Sequence, residues 1–160
     1  MTHSAALSEA PAWRIERETP SDREAVEALV LSAFGPGRFA KTAERLRETA
    51  GVAAGFVIRR GDAVIGSVRL WDICVGDQSA VFLGPIAVEA SLRSGGMGAA
   101  LVQACLEQAG EAGILLVGEP PYFSRFGFMP APLARLPGPV DQRRVMWRGP
   151  GEPSGPVTAA

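Results

Sequence analysis

The sequence predicts a mixed α/β domain, a mostly antiparallel sheet flanked by helices, and three observations carry the prediction. An apolar strand over Ser79–Val88, a glycine-rich turn, a helix over Gly95–Ala112 and a second strand over Ile114–Val117 form one β–α–β unit. Its right-handed crossover makes those two strands parallel. Ala53–Arg60 and Ala63–Val75 are two apolar runs joined by the tight turn Arg60-Gly61-Asp62, an antiparallel pair. A further hairpin spans Phe128 to Trp147, with the irregular connection Leu136-Pro137-Gly138-Pro139-Val140. At 160 residues the chain fits one domain with a sizeable core.

The remaining elements follow in order. Residues 1–11 read as a disordered tail. Trp13 to Glu18 alternates apolar and charged residues, the pattern of a first strand. Thr19-Pro20-Ser21-Asp22 offers a helix start, with Asp22, Glu24 and Glu27 early in the helix. Val26, Leu29, Val30 and Ala33 form its apolar face, and Gly35-Pro36-Gly37 ends it. A second helix is expected from about Phe39 to Thr49, with Phe39, Ala43 and Leu46 at helical spacing. Within Ser79–Val88, Gly84-Pro85 is unusual, because proline cannot donate to a central ladder. It marks either an edge strand or a bulge that splays this strand from its neighbour; the glycine turn that follows directly favours the bulge. Met97, Leu101, Cys105 and Ala109 share one face of the central helix, and a short helix is expected over Tyr122–Phe126. Residues 12–148 form the domain, and the Pro/Gly-rich residues 149–160 read as a disordered tail.

Composition narrows the function. The net charge of −1, with no long basic run, gives no reason to expect nucleic acid. His3 is the only histidine and lies in the expected tail, which argues against Ser-His-Asp or Cys-His catalysis and against histidine-based zinc. Cys74 and Cys105 stand apart in apolar stretches, as two free thiols of a reducing cytosol would. No metal is expected. The first residues lack a basic start followed by an apolar core, and no apolar run approaches the ~20 residues that cross a bilayer. A cytoplasmic protein without a membrane partner is the expectation.

The most informative segment runs from Leu83 to Leu101. A glycine-rich turn at a helix start leaves backbone N–H groups unpaired where the helix dipole is positive, a natural site for phosphate. Arg93 adds a cation suited to phosphate oxygens. The order of glycines is not that of a dinucleotide fold, and no Lys-Ser/Thr pair follows as in a Walker loop.

Arg93-x-x-Gly96-x-Gly98, following the strand ending at Val88, resembles the acyl-CoA signature of the GCN5-related N-acetyltransferases, the GNAT superfamily. Val117 to Phe128, which contains Arg125-Phe126-Gly127-Phe128, resembles the Tyr-x-x-x-Gly-Phe segment that closes the same family's cofactor groove, most of all in its YhbS-type predicted acetyltransferases. The resemblance covers roughly Trp13 to Trp147. It implies the GNAT fold with a splayed parallel strand pair, and acetyl-CoA as co-substrate. It further implies transfer of acetyl to a small-molecule or peptide amine by direct attack in a ternary complex, in a monomer or homodimer.

Residue by residue, the resemblance places the pyrophosphate on Arg93, Ser94, Gly95, Gly96, Met97, Gly98 and Ala99. Backbone atoms of Ala87 and Val88 would pair with the pantetheine amides, and Phe123 and Phe126 would line the groove. The Ile86 amide, freed by a bulge, would face the oxyanion. The acceptor ammonium must lose a proton before it can attack, and Glu119, at the end of the parallel strand, is the candidate base. The alternative, which the residues favour, is a solvated loop carboxylate or an N-cap-like contact to the helix at Tyr122; Glu89 is a weaker candidate. The family's acidic tyrosine lies four residues before the glycine of Gly-Phe, and here that position is Phe123. Either Tyr122 replaces it from a shifted helix, or the thiolate leaves unassisted or takes its proton from water. Phe34-Gly35-Pro36-Gly37-Arg38-Phe39 lies where the superfamily builds its acceptor site; it is either a turn or a segment whose Arg38 reads an anionic acceptor. Two rival functions remain: a catalytically weak acyl-CoA-binding or regulatory module, and a transferase of a longer acyl chain from CoA or acyl carrier protein.

Overall fold

The computed structural model describes residues 12–34, 46, 49–92 and 95–160. Strand β1 (Arg14–Arg17) leads through a 3-10 turn (Pro20–Asp22) into helix α1 (Arg23–Phe34). Strands β2 (Val52–Arg60), β3 (Ala63–Val75), β4 (Gln78–Leu83) and β5 (Ala87–Val88) follow, then helix α2 (Met97–Ala109) and strand β6 (Gly113–Val117). The short helix α3 (Pro120–Phe123) continues as a 3-10 turn over Ser124–Phe126. Strands β7 (Met129–Pro130), β8 (Ala134–Arg135), β9 (Val145–Arg148) and β10 (Gly155–Ala159) complete the order.

The sheet runs β1-β2-β3-β4-β6-β9-β7, with β5 and β10 both paired to β3 and β8 to β10. All pairings are antiparallel except β4 with β6 and the two-residue contact of β8 with β10. The β4–β6 pair is the one the crossover through α2 makes parallel, as the sequence predicts.

Period-two alternation divides β3 between two cores. Val68 and Leu70 join Leu101, Val102 and Cys105 of α2 on one face. Trp71, Ile73 and Val75 join Phe82, Leu115 and Trp147 on the other. Val26 and Val30 of α1 cover Val57 and Ala87. The expected stripe of α1 is therefore partly buried, and Leu31 and Phe34 remain exposed.

One buried ion pair ties α1 to the sheet. Asp22 Oδ2 accepts the Thr19 backbone N–H at 2.8 Å, the Thr19 hydroxyl at 3.0 Å and Arg59 Nη2 at 2.7 Å. Arg59 also donates to Glu16 Oε1 at 2.7 Å. The Arg59 guanidinium, then the Thr19 amide, hold the Asp22 carboxyl down from its ordinary 3.8 to about 2.

Two expectations change at the chain's later half. Ser79–Val88 is not one strand: residues 84–86 separate β4 from β5. Residues 149–160, read as a disordered tail, instead include β10, with Val157 opposite Val75, Thr158 opposite Cys74 and Ala159 opposite Ile73. The reason lies in β3. Its partner β2 begins at Val52, opposite Trp71, and leaves the edge at Ile73–Val75 uncovered. Unpaired backbone groups beside a core are costly, and β10 satisfies them while burying Val157 to 3% exposure. Composition signals a lack of core-forming residues but cannot register an open edge elsewhere in the chain. The expected tail at residues 1–11 and most of the expected second helix lie outside the described residues; Leu46 accepts the Ala50 N–H at 3.1 Å, one turn of it.

Candidate active site

The site begins with the break between β4 and β5. Leu83 stands opposite Leu70 and Ala87 opposite Ser67. Four steps of chain on one side thus face three on the other, and the extra residue is a β-bulge. The Gly84–Pro85 peptide is cis. The Gly84 N–H donates to the Arg69 carbonyl at 2.9 Å, and the Gly84 carbonyl accepts the buried Trp71 indole N–H at 2.6 Å. Both polar groups of Gly84 are satisfied, so the kink is held without leaving a buried orphan.

The bulge decides where β5 points. The Glu89 N–H donates to the Ile65 carbonyl at 2.9 Å, which makes Ala87–Ser67 a hydrogen-bonded pair two residues earlier in the ladder. The Ile86 amide therefore faces away from β3. The parallel ladder of β4 with β6 ends at Phe82–Leu115, and β5 pairs with β3 alone. Beyond Leu115 the two strands are no longer paired, which leaves an opening between β5 and β6.

The opening leads to the start of α2. Gly96 is the N-cap with φ of +82°, a conformation that L side chains rarely adopt. The first amide hydrogen-bonded back to the cap is that of Ala100, which donates to the Gly96 carbonyl at 3.1 Å. The N–H groups of Met97, Gly98 and Ala99 precede it and have no acceptor within the helix. No acidic side chain occupies this first turn. An anion is favoured here by both donors and dipole. Gly95 is exposed beside them, and Arg93 and Ser94 lie outside the described residues.

Helix α3 follows β6, and its side chains reach both the end of β6 and α2. Phe123 and Tyr122 are adjacent and diverge by about 100°. The Phe123 ring lies against Gly118, just past β6, where an added Cβ would collide with it, and stacks edge-on to Phe128 at 6.0 Å between centroids. Tyr122 turns instead to α2: a Cβ on Gly98 would stand 3.6 Å from its hydroxyl. Arg125 lies over the Tyr122 ring, 4.5 Å from its centroid, and Phe126 packs 5.5 Å from the same ring. Val88 and Ile86 border the α2-side core, with Phe123 and Phe126 packed against it.

Glu119 is the N-cap residue of α3, but its side chain makes no capping bond. Its carboxylate is 70% exposed and pairs with Arg144 Nη2 at 3.3 Å. Glu89 is exposed and accepts the Ser91 hydroxyl at 3.2 Å. Burial pushes the Cys105 thiol up to about 12, so it is no nucleophile at neutral pH. Residues 35–39 of the expected acceptor segment lie outside the described residues. Among the described residues no group of three or more His, Cys, Asp or Glu side chains could hold a metal, and no helix is long and apolar enough to cross a membrane.

Two residues of this site were missed by sequence reasoning. Trp71 anchors the bulge from 13 residues away, and no local pattern links it to Gly84. Arg125 is part of the quoted Arg-Phe-Gly-Phe run, but its stacking on Tyr122 depends on the helical geometry of α3.

A parallel pair that parts beside a glycine-started helix, under a short aromatic helix, is the arrangement of the N-acetyltransferase class that the two motifs resemble. Residues 13–128 match the acetyltransferase (GNAT) family. The uncharacterized N-acetyltransferase YhbS of Escherichia coli (strain K12) is 31% identical over 120 residues, which are 71% of this chain and 72% of that protein. The crystal structure of Escherichia coli YhbS in complex with CoA superposes with a TM-score of 0.78 at 27% identity, covering 94% of this chain and 91% of that one. A GNAT family acetyltransferase from Brucella melitensis, in complex with acetyl-CoA, shares the fold with a TM-score of 0.69 at 22% identity, over 92% of this chain and 96% of that one. The chain belongs to the GNAT family of N-acetyltransferases.

Proposed function

We propose that the protein transfers an acyl group, acetyl by default, from acyl-CoA to a small-molecule or peptide amine by direct attack in a ternary complex. The observation that carries this reading is the bulge at residues 84–86, where the β4–β6 ladder ends, followed by the open first turn of α2; in this reading the bulge presents the Ile86 amide to the thioester. In this reading the amides of Gly95–Ala99, with Arg93 and Ser94, hold the pyrophosphate, and the backbone of Ala87 and Val88 pairs with the pantetheine amides. Gly96 and Gly98 fit this use: among the described residues an added Cβ at Gly96 would meet nothing within 4 Å, and one at Gly98 only the Tyr122 hydroxyl at 3.6 Å.

As the amine attacks, a C–N bond forms, the thioester carbonyl oxygen gains charge, and the C–S bond then breaks. The Ile86 amide donates to that oxygen. The amine's proton passes to Glu119, directly or through water, since the carboxylate is open to solvent at the end of β6. Phe123 cannot protonate the departing thiolate. Thiols have a pKa of about 8.5, so sulfur is a fair leaving group and can depart into solvent.

A second reading rests on the same ring. With Phe123 at the position where the family's motif places an acid, the fold could serve as a weakly catalytic acyl-CoA-binding module. Titrating the protein with acetyl-CoA, then assaying thiol release across a panel of amines, separates the two. Micromolar binding with amine-dependent turnover supports the transferase; binding without turnover supports the module; no binding overturns both.

A further inference from the structure

We propose that Tyr122 and Arg125 bind the diphosphate of the acyl-CoA rather than its sulfur, so that Tyr122 is a cofactor-positioning residue and not the general acid. This rests on the acyl-CoA reading of the site. The hydroxyl of Tyr122 stands by Gly98 in the first turn of α2, the turn whose Met97, Gly98 and Ala99 N–H groups have no acceptor within the helix. A Cβ on Gly98 would stand 3.6 Å from that hydroxyl, an ordinary contact distance. No hydrogen bond from the hydroxyl to protein is present among the described residues, which leaves its proton available to a ligand.

Arg125 brings a positive charge to Tyr122. Its guanidinium covers the Tyr122 ring at 4.5 Å and donates Nε to the Tyr122 carbonyl at 3.3 Å. In this proposal the stack orients both side chains, and the remaining guanidinium donors serve the diphosphate at a helix start that has no acidic residue in its first turn. Glu119, the N-cap of α3, is paired with Arg144. The sulfur end of the ligand belongs elsewhere. It must lie near the Ile86 amide and the parting of β4 from β6, where Phe123, not Tyr122, covers the end of β6. In CoA the pantetheine arm separates diphosphate from sulfur, so one hydroxyl cannot serve both ends.

The test is calorimetric titration with CoA and phosphorus NMR of the saturated complexes, on the wild-type chain, Tyr122→Phe and Arg125→Gln. A hydrogen bond to a charged group predicts that Tyr122→Phe weakens CoA binding about tenfold. Its diphosphate resonances at saturation should shift less from free CoA than in the wild-type complex. Arg125→Gln should weaken binding and flatten its dependence on salt. Wild-type affinity in Tyr122→Phe overturns the proposal. So does weakened binding with diphosphate resonances identical to wild type, which would put the hydroxyl at another part of the ligand. A wild-type chain that binds no CoA overturns the acyl-CoA reading itself, a result distinct from either of these.

Discussion

Trp71 donates its indole N–H to the Gly84 carbonyl at 2.6 Å across the β3–β4 pair. That one bond connects the core on one face of the sheet to the kink at the candidate active site. Trp71→Phe keeps most of the apolar volume and leaves the buried carbonyl without its partner. The expected cost is about 1–3 kcal/mol of stability, read by thermal or chemical denaturation. A looser bulge should also raise the dissociation constant for acetyl-CoA. A variant with lowered stability but wild-type affinity would show that the kink persists without the indole.

The two loop glycines should separate by mechanism. Gly96→Ala forces an L side chain to φ of +82° and should cost about 1–2 kcal/mol, although no atom lies within 4 Å of the new Cβ. Gly98→Ala places its methyl at ordinary contact distance from Tyr122 and should leave stability unimpaired. Gly98→Glu keeps the helix, since a carboxylate suits its N-terminus, but occupies the anion's place and should abolish acetyl-CoA binding by calorimetry. Retained binding in folded Gly98→Glu would move the diphosphate away from α2.

Asp22 gives the fold a pH dependence. Its carboxyl is held from 3.8 down to about 2, chiefly by Arg59. A depressed acid contributes stability above its unfolded pKa and loses it as pH falls toward the folded one. The contribution is therefore full above about pH 4 and fades between about pH 4 and pH 2, on the order of 1–2 kcal/mol. Denaturation midpoints of the wild type and Asp22→Asn should differ at neutral pH and converge at pH 2. A constant difference across that window would mean that the pair does not titrate as described.

Glu119→Gln tests chemistry with little structural interference. The side chain is 70% exposed and its pair with Arg144 is a surface one, worth about 1 kcal/mol or less. Stability and acetyl-CoA affinity should hold, while amine-dependent thiol release at neutral pH falls. The loss should shrink as pH rises and the amine deprotonates in solution. An unchanged rate would leave deprotonation of the amine to water.

Removing residues 153–160 should destabilise the protein by more than the roughly 1.5–3 kcal/mol that burying one valine contributes, because the edge of β3 is uncovered as well. The truncated chain should melt lower and aggregate through that edge. Were the melting temperature unaffected, β10 would be only a loose cover.

The sequence alone determined the β–α–β unit, the β2–β3 hairpin, the apolar stripe of α2 and the glycine N-cap at its start. All of these rest on local signals: residue period, turn chemistry and glycine spacing act within a few positions of one another. The bulge was half legible, since Gly84-Pro85 allowed an edge strand or a kink, and only the register of Leu70–Leu83 against Ser67–Ala87 chose between them. Tertiary structure decided the rest. It turned residues 155–159 from an expected tail into β10, because β2 stops at Val52 and leaves β3 an open edge. It set Phe123 over the end of β6 and Tyr122 over Gly98, an outcome fixed by how α3 seats on Gly118 and not by the motif. It joined Trp71 to Gly84 and drew Glu119 to Arg144. Each of these is a pairing between residues far apart in sequence, whose free energy depends on which surfaces the rest of the chain has already covered.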